Sequence, residues 1–356
     1  MQKHSDTLYE HSVLLAAVLI ALQSLIVSVA FLFIDTSEEV KMYASEYFHI
    51  CIWGAPAVLG LYSFTGWFLG MQNSRYPMFI AITQNVINIA TSLFFVKGMG
   101  MKIEGVAYGT LIAQYAGLLM AVLLGLKYTK KYNWDISAGH IFSRNSMSVF
   151  FRVNRDIFFR TLCIVAVTVF FTSSGAAYGD TTLAVNTLLM QLFTIFSYIM
   201  DGFAYAGEAL VGKHVGSRNN LLLRRTVRHL LYWGTGVAVF FTLLYSAGGK
   251  DFLQLLTDDT DVIRNSSEYY YWVLAIPFAG FLAFILDGIC IGATATSIML
   301  RSIFVASMAF FFTYYISDSA MGNHSLWMAF IIYLFVRGSV QAALTYRLIQ
   351  SDFRAS

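Results

Sequence analysis

Five ionisable side chains stand inside long apolar runs: Arg160, Asp201, Glu208, Asp287 and Arg337. A charge at the centre of a bilayer costs about 2.5–3.5 kcal/mol even on lenient insertion scales, so such a group needs a partner, a wet cavity or a task. Carboxylates set among guanidiniums can exchange a cation for a proton. Ionised, they attract the cation; protonated, they release it. Asp201 and Asp287 lie at similar distances from the outer ends of their segments, which predicts equal depth. Arg160 sits near the inner end of its segment and can reach that level; Arg337 is mid-span; Glu208 lies nearer the inner surface. A static ion-pair network that fixes helix register is the competing reading of the same five residues. Two prolines, Pro56 and Pro277, stand at nearly equivalent places in two apolar segments. Proline removes a helix hydrogen bond and bends the chain, so the two are hinge candidates or fixed kinks.

The elements that must position these groups are membrane helices. The chain has 356 residues, 58% of them hydrophobic and 12% charged, with a mean hydropathy of +0.64. Soluble domains carry roughly twice that charged fraction. Ten segments are apolar over the ~20 residues a span requires: 12–34, 48–71, 77–97, 104–126, 157–174, 182–209, 227–248, 269–292, 297–317 and 325–348. Basic residues gather on one side of this arrangement. Arg75, Lys130, Lys131, Arg144, Arg224 and Arg225 are among those in one set of loops, against Lys41, Lys97, Lys102, Lys250 and Arg264 in the other. The positive-inside rule then places both termini in the cytoplasm, in a multi-pass protein of the cytoplasmic (inner) membrane.

An internal repeat divides the chain. At a constant offset Val40 matches Val262, Ser45 matches Ser267, Glu46 matches Glu268, Tyr47 matches Tyr269, and Gly66 and Gly70 match Gly288 and Gly292. Such a repeat in an apolar chain is the mark of a transporter built from two halves. The expected fold is an all-α integral membrane protein, a two-lobe helical bundle with ten transmembrane helices, four and six. The expected parts are a shortened first lobe over 1–126, a basic cytoplasmic linker over 127–156 and a second lobe over 157–356. The fifth and sixth spans have no partners in the first half, which implies two helices fewer than a symmetric protein would have. Both GxxxG pairs read as sites of close helix approach.

The segments Trp53-Gly-Ala-Pro56, Gly66-Trp-Phe-Leu-Gly-Met-Gln-Asn-Ser-Arg75, Gly105-Val-Ala-Tyr-Gly-Thr-Leu-Ile-Ala-Gln-Tyr115 and Asp201-Gly-Phe-Ala-Tyr-Ala-Gly-Glu-Ala-Leu-Val-Gly-Lys-His-Val-Gly216 resemble the multidrug and toxic compound extrusion (MATE) family, in its DinF-like branch. The resemblance covers essentially the whole chain. It implies twelve helices in two lobes of six, of which the first two are lacking here. It also implies export of organic, often cationic, compounds in exchange for H+ or Na+. It favours Asp287, because relatives often carry an acid at this place. It further implies a first-lobe cation site, to which an Asn and, four residues later, an Asp contribute. Asn88 matches the Asn, but Ser92 stands at the Asp position, and a second Asp belongs to a helix lacking here. Asn85 shares a face with Asn88; Thr110 and Gln114 on the next helix could line the same cavity. Interhelical hydrogen bonding, at roughly 0.6 kcal/mol per contact, is the alternative for these groups.

No GxxxxGK[ST] segment signals an ATPase domain, and no HExxH or His/Cys cluster signals a metal. Cys51, Cys163 and Cys290 stand alone in apolar runs. Nothing predicts an enzyme, a cofactor beyond the coupling ion, or a nucleic-acid partner. The expected partners are a small organic substrate and the lipid bilayer, with a monomer if the chain is complete. A transport-inactive remnant acting as an interaction subunit is an alternative. So is a lipid-linked saccharide flippase, disfavoured by the few intramembrane arginines. Asn265-Ser-Ser and Asn323-His-Ser match a glycosylation pattern that nothing else supports.

Overall fold

The structure, a computed structural model, describes residues 17–33, 38–71, 73, 75–129 and 144–352. Among the described residues all regular structure is helical. A helical stretch at 17–21 leads into α1 (Gln23–Phe33). Helix α2 (Glu38–Cys51) passes through a three-residue 3-10 turn, Ile52–Gly54, into α3 (Ala55–Gly70). Helix α4 (Arg75–Leu93) ends in a π-turn, Phe94–Gly98, before α5 (Ile103–Thr129). Then follow α6 (Arg144–Ala177), α7 (Asp180–Gly216), α8 (Asn220–Leu256), α9 (Thr260–Gly292), α10 (Thr296–Met321) and α11 (Asn323–Asp352). Nine helices among the described residues are long and apolar enough to cross a membrane. They correspond to the second to tenth expected spans; the first, 12–34, lies partly outside the described residues. The last part of the expected linker, 144–156, is helical and forms the first turns of α6.

Helices are the expected solution in a medium that cannot hydrogen-bond exposed backbone. Their ends are sharply turned. The Asp259 carboxylate accepts from the Asp261 and Val262 amides at 2.9 and 3.1 Å and starts α9. Asn219 does the same for α8, accepting from Leu222 at 3.0 Å. Gly322, with φ +53°, closes α10 and turns the chain into α11. A residue with a Cβ is strained in that conformation.

The chain divides into two compact units, Met1–Met147 and Ser148–Ser356. The first has a small core, Leu61, Phe68, Ile80 and Ala121, with Tyr76 edge-on to Phe68 at 5.3 Å. The second has an extensive core that includes Phe196, Phe310, Trp327 and Phe330. Helix α9 is largely buried in it and packs on α7, α8 and α11.

The two GxxxG pairs behave differently. A Cβ on Gly288 would lie 2.1 Å from the Ala204 carbonyl oxygen, and one on Gly292 would lie 2.6 Å from that of Glu208. Backbone meets backbone there, so α7 and α9 are locked in parallel register. A Cβ on Gly66 would meet nothing within 4 Å, so nothing among the described residues approaches that glycine closely. The glycine spacing recurs, but among the described residues no helix lies against Gly66.

Candidate functional site

Asp287 sits in the fully packed stretch of α9 and is 6% exposed. Its Oδ2 accepts from the guanidiniums of Arg160 on α6, at 2.5 Å, and of Arg337 on α11. Its Oδ1 accepts from Gln341 Nε2 at 2.9 Å. Arg337 and Gln341 are one helical turn apart, so they present donors to the same carboxylate. The next turn brings Thr345 Oγ1 to 3.5 Å from Cys290 Sγ. One α11 stripe, 337, 341 and 345, therefore follows one α9 stripe, 287 and 290. The Arg337 guanidinium also lies over the Phe284 ring, 5.8 Å from its centroid, a cation–π contact.

Asp201, on α7, is half-buried and lies within electrostatic reach of Asp287, Arg160 and Arg337. No hydrogen bond or ion pair reaches its carboxylate among the described residues. Arg160 Nε and Gln341 Oε1 are buried without a hydrogen-bond partner among the described residues. The Arg160 side chain is 21% exposed, against 8% for Asp287 and 7% for Arg337, so Arg160 forms the accessible edge of the cluster. Four of the five expected residues thus converge. Glu208 does not join them. It lies two turns along α7 from Asp201, half-buried, and is held in place by the backbone contact at Gly292.

The polar residues of the first unit serve mainly as helix contacts. Asn88 Nδ2 donates to Thr110 Oγ1 at 3.2 Å across α4 and α5. The Tyr47 hydroxyl lies beside Thr110. Ser92 Oγ packs on Gly109, where an added Cβ would lie 2.3 Å away, and Gln114 Oε1 packs on Gly54, where the distance would be 1.7 Å. Neither oxygen has a hydrogen-bond partner among the described residues. Asn85 turns away: it is exposed, and its amide donates to Ala81 O of its own helix at 2.9 Å. Three residues turn a helix by ~300°, and the edge of the α5 contact falls between positions 85 and 88.

The prolines also differ. Pro56 is in the first turn of α3, just after the 3-10 break, where its missing N–H costs nothing. Pro277 is buried inside a continuous α9. The repeat extends to contacts at the helix starts. The Glu46 carboxyl faces Glu104 at the start of α5, and its counterpart Glu268 lies 3.4 Å from His324 at the start of α11.

Three residues escaped the sequence reading. Gln341 was signalled by its four-residue spacing from Arg337 in an otherwise apolar helix. Asp156, placed in the expected linker, is 1% exposed and accepts from Thr296 Oγ1 at 3.2 Å and Arg155 at 3.0 Å. Asn186 gave no local signal; its amide exchanges bonds of 2.7 and 3.0 Å with Asn323, and its Oδ1 accepts from Trp327 Nε1 at 2.8 Å. That buried pair removes Asn323 as a glycan acceptor. Among the described residues no three His, Cys, Asp or Glu side chains gather to hold a metal ion.

The MatE family model matches residues 10–94 and 157–316. DNA damage-inducible protein F of Escherichia coli is 33% identical over 335 residues, 93% of this chain and 72% of that protein. The probable multidrug resistance protein NorM of Photorhabdus laumondii is 23% identical over 78% of this chain and 61% of its own length. A crystal structure of a variant of the Vibrio cholerae MATE transporter VcmN has the same fold, with a TM-score of 0.84 at 14% identity, covering 99% of this chain and 78% of that one. Family match, bacterial relative and shared helical fold agree: the chain belongs to the MatE family of membrane transporters.

Proposed function

We propose that this chain exports small organic compounds in exchange for H+ or Na+, by alternating access of its two halves. The observation that carries the reading is the contrast between two acids of one cluster. Asp287 is held by three donors and serves as a fixed counter-charge. Asp201 lies in the same field with no bond of its own among the described residues and is the group open to a proton or a cation. With Asp201 ionised, two carboxylates balance two guanidiniums. Its protonation leaves a net positive charge, which repels a cationic compound and favours its release. The name of the Photorhabdus relative, a multidrug resistance protein, supports the substrate class. The asymmetry of basic loops supports a cytoplasmic-membrane location with both termini inside. The ion gradient is its motor, and the complete protein acts as a monomer.

One observation favours a second reading, a transport-inactive interaction subunit: Asn88 and Ser92 are taken up in packing α4 on α5, and Gln114 in packing α5 on the 3-10 turn before α3. The full chain reconstituted in proteoliposomes separates the two. Imposed pH or Na+ gradients are expected to drive a fluorescent organic cation across the membrane. Transport under neither gradient would sink the antiport reading and leave the interaction role.

A further inference from the structure

Helices α6 and α10 meet at three levels. At the start of α10 the Thr296 hydroxyl donates to the carboxylate of Asp156 on α6. Further along, Phe170 packs edge-on against Phe310 and Tyr314, at 5.9 and 5.0 Å between centroids. At their C-terminal ends the Tyr178 hydroxyl donates to Asp318. Between the first two levels the helices part and leave a groove of about 560 Å³. Phe159, Leu162 and Ala166 form one wall at the spacing of a single helix face, and Leu300 and Phe304 form the other. Phe159, Leu162 and Phe304 are exposed, so the groove opens outward on whatever surrounds the helices. Arg301 supplies the one charge of the lining, is itself exposed, and makes no hydrogen bond or ion pair among the described residues.

We infer that this groove seats an acyl chain of an anionic glycerophospholipid, with the lipid phosphate on Arg301. Apolar walls gain little by exchanging one hydrocarbon for another, since lipid tails are as apolar as leucine. Selectivity must therefore come from the charge. Arg301 stands five residues into α10, ~7.5 Å along its axis at 1.5 Å per residue. From there its long side chain can reach a headgroup while its stem lies on the groove wall. At the headgroup level a phosphate diester offers the unpaired guanidinium two acceptor oxygens in matching geometry. Basic pockets between membrane helices are a recurrent form of anionic-headgroup site. Free phosphate would satisfy the charge and leave the apolar walls unused.

The test is native mass spectrometry of the purified full chain, equilibrated with equal amounts of phosphatidylglycerol and phosphatidylcholine. The wild type is expected to retain phosphatidylglycerol preferentially. Arg301→Gln should lower that retention about fivefold, the factor that ~1 kcal/mol per basic side chain at a lipid surface represents. Arg301→Lys should keep most of it. Ala166→Trp, at an exposed position on the wall, should expel the lipid by filling the groove. Arg225→Gln, on exposed α8 surface, should match the wild type. Equal retention of the two lipids by the wild type would overturn the inference. So would undiminished phosphatidylglycerol in both Arg301→Gln and Ala166→Trp. Loss of organic-cation efflux in Ala166→Trp with lipid retention unchanged would overturn it too, and assign the groove to the transported compound instead.

Discussion

Asp287→Asn replaces one oxygen by an amide nitrogen and removes the charge that holds two guanidiniums. The amide oxygen can continue to accept from Gln341, which lies 2.9 Å from Oδ1. The new N–H groups face Arg160 and Arg337, which are themselves donors, so two attractive contacts become donor–donor conflicts. Breaking a buried pair by removing one partner costs about 3–5 kcal/mol. Two cations lose their partner here, but their positions are unequal. Arg160 is 21% exposed and can turn toward water, whereas Arg337 is 7% exposed and cannot. One stranded charge therefore sets the cost, and the estimate stays at about 3–5 kcal/mol rather than twice that. Thermal unfolding of the full chain in mild detergent, followed by tryptophan fluorescence, reads this loss. At about 2–4 °C per kcal/mol for a unit of this size, the midpoint should fall by roughly 6–20 °C. Adding Arg337→Met removes the stranded cation and should recover most of the midpoint. A single variant that melts with the wild type, or a double variant no more stable than the single, would refute the reasoning. Wild-type gradient-driven efflux in Asp287→Asn would remove Asp287 from the transport scheme.

Asp201→Asn breaks no bond, so its stability should stay within about 0.5 kcal/mol of the wild type, while efflux driven by a pH or Na+ gradient in proteoliposomes is lost. Persistence of that efflux would exclude Asp201 as the exchanging group. Gly288→Ala forces a methyl to 2.1 Å from the Ala204 carbonyl oxygen, and overpacking of this kind costs about 1–3 kcal/mol. Gly66→Ala meets nothing and should raise the midpoint slightly, since Ala is the better helix former by about 0.5–1 kcal/mol; equal midpoints for the two variants would contradict the α7–α9 contact. Burial, then the bond to Asp318 and the neighbouring Tyr314, raise the Tyr178 hydroxyl above the usual tyrosine range. Its folded-state value is the higher one, so its contribution is fully present below the unfolded value of ~10 and is lost only as pH rises through the folded one. Tyr178→Phe should therefore cost about 1 kcal/mol, constant from about pH 6 to 9. A penalty that varies across that window would show another group to be titrating.

Helix positions were legible because a span is long, apolar and locally encoded, and the repeat could be read because Glu46, Tyr47 and the glycines kept their spacing. The convergence of Arg160, Asp201, Asp287 and Arg337 was legible for a related reason: a charge in an apolar run is rare, and hydrocarbon leaves it few partners. What lay hidden was partner choice. Gln341 and Asn186 are neutral amides whose role depends on which helix stands opposite, a long-range fact without local signature. Asp156 was masked by its basic neighbours, which made a buried acid look like part of a solvated connection. Gly66 and Gly288 occupy matching places in the repeat, yet only one meets another backbone, because sequence spacing records the face a residue occupies and not what lies against it. The same limit separates Asn85 from Asn88.

The backbone contact of α7 with α9 bears on how the two acids communicate. Ala204 touches Gly288 and Glu208 touches Gly292 with no side chain between them, so no rotamer change can absorb a slide. The two helices must travel together, and the span between Asp201 and Asp287 stays nearly constant through any rearrangement. On the proposed scheme, a proton arriving at Asp201 would be felt at Asp287 through the field alone, without a mechanical push. The element that scheme would leave to translate the field into displacement is α6, which is tied to the aspartate by the single Arg160 bond, while α11 grips it twice.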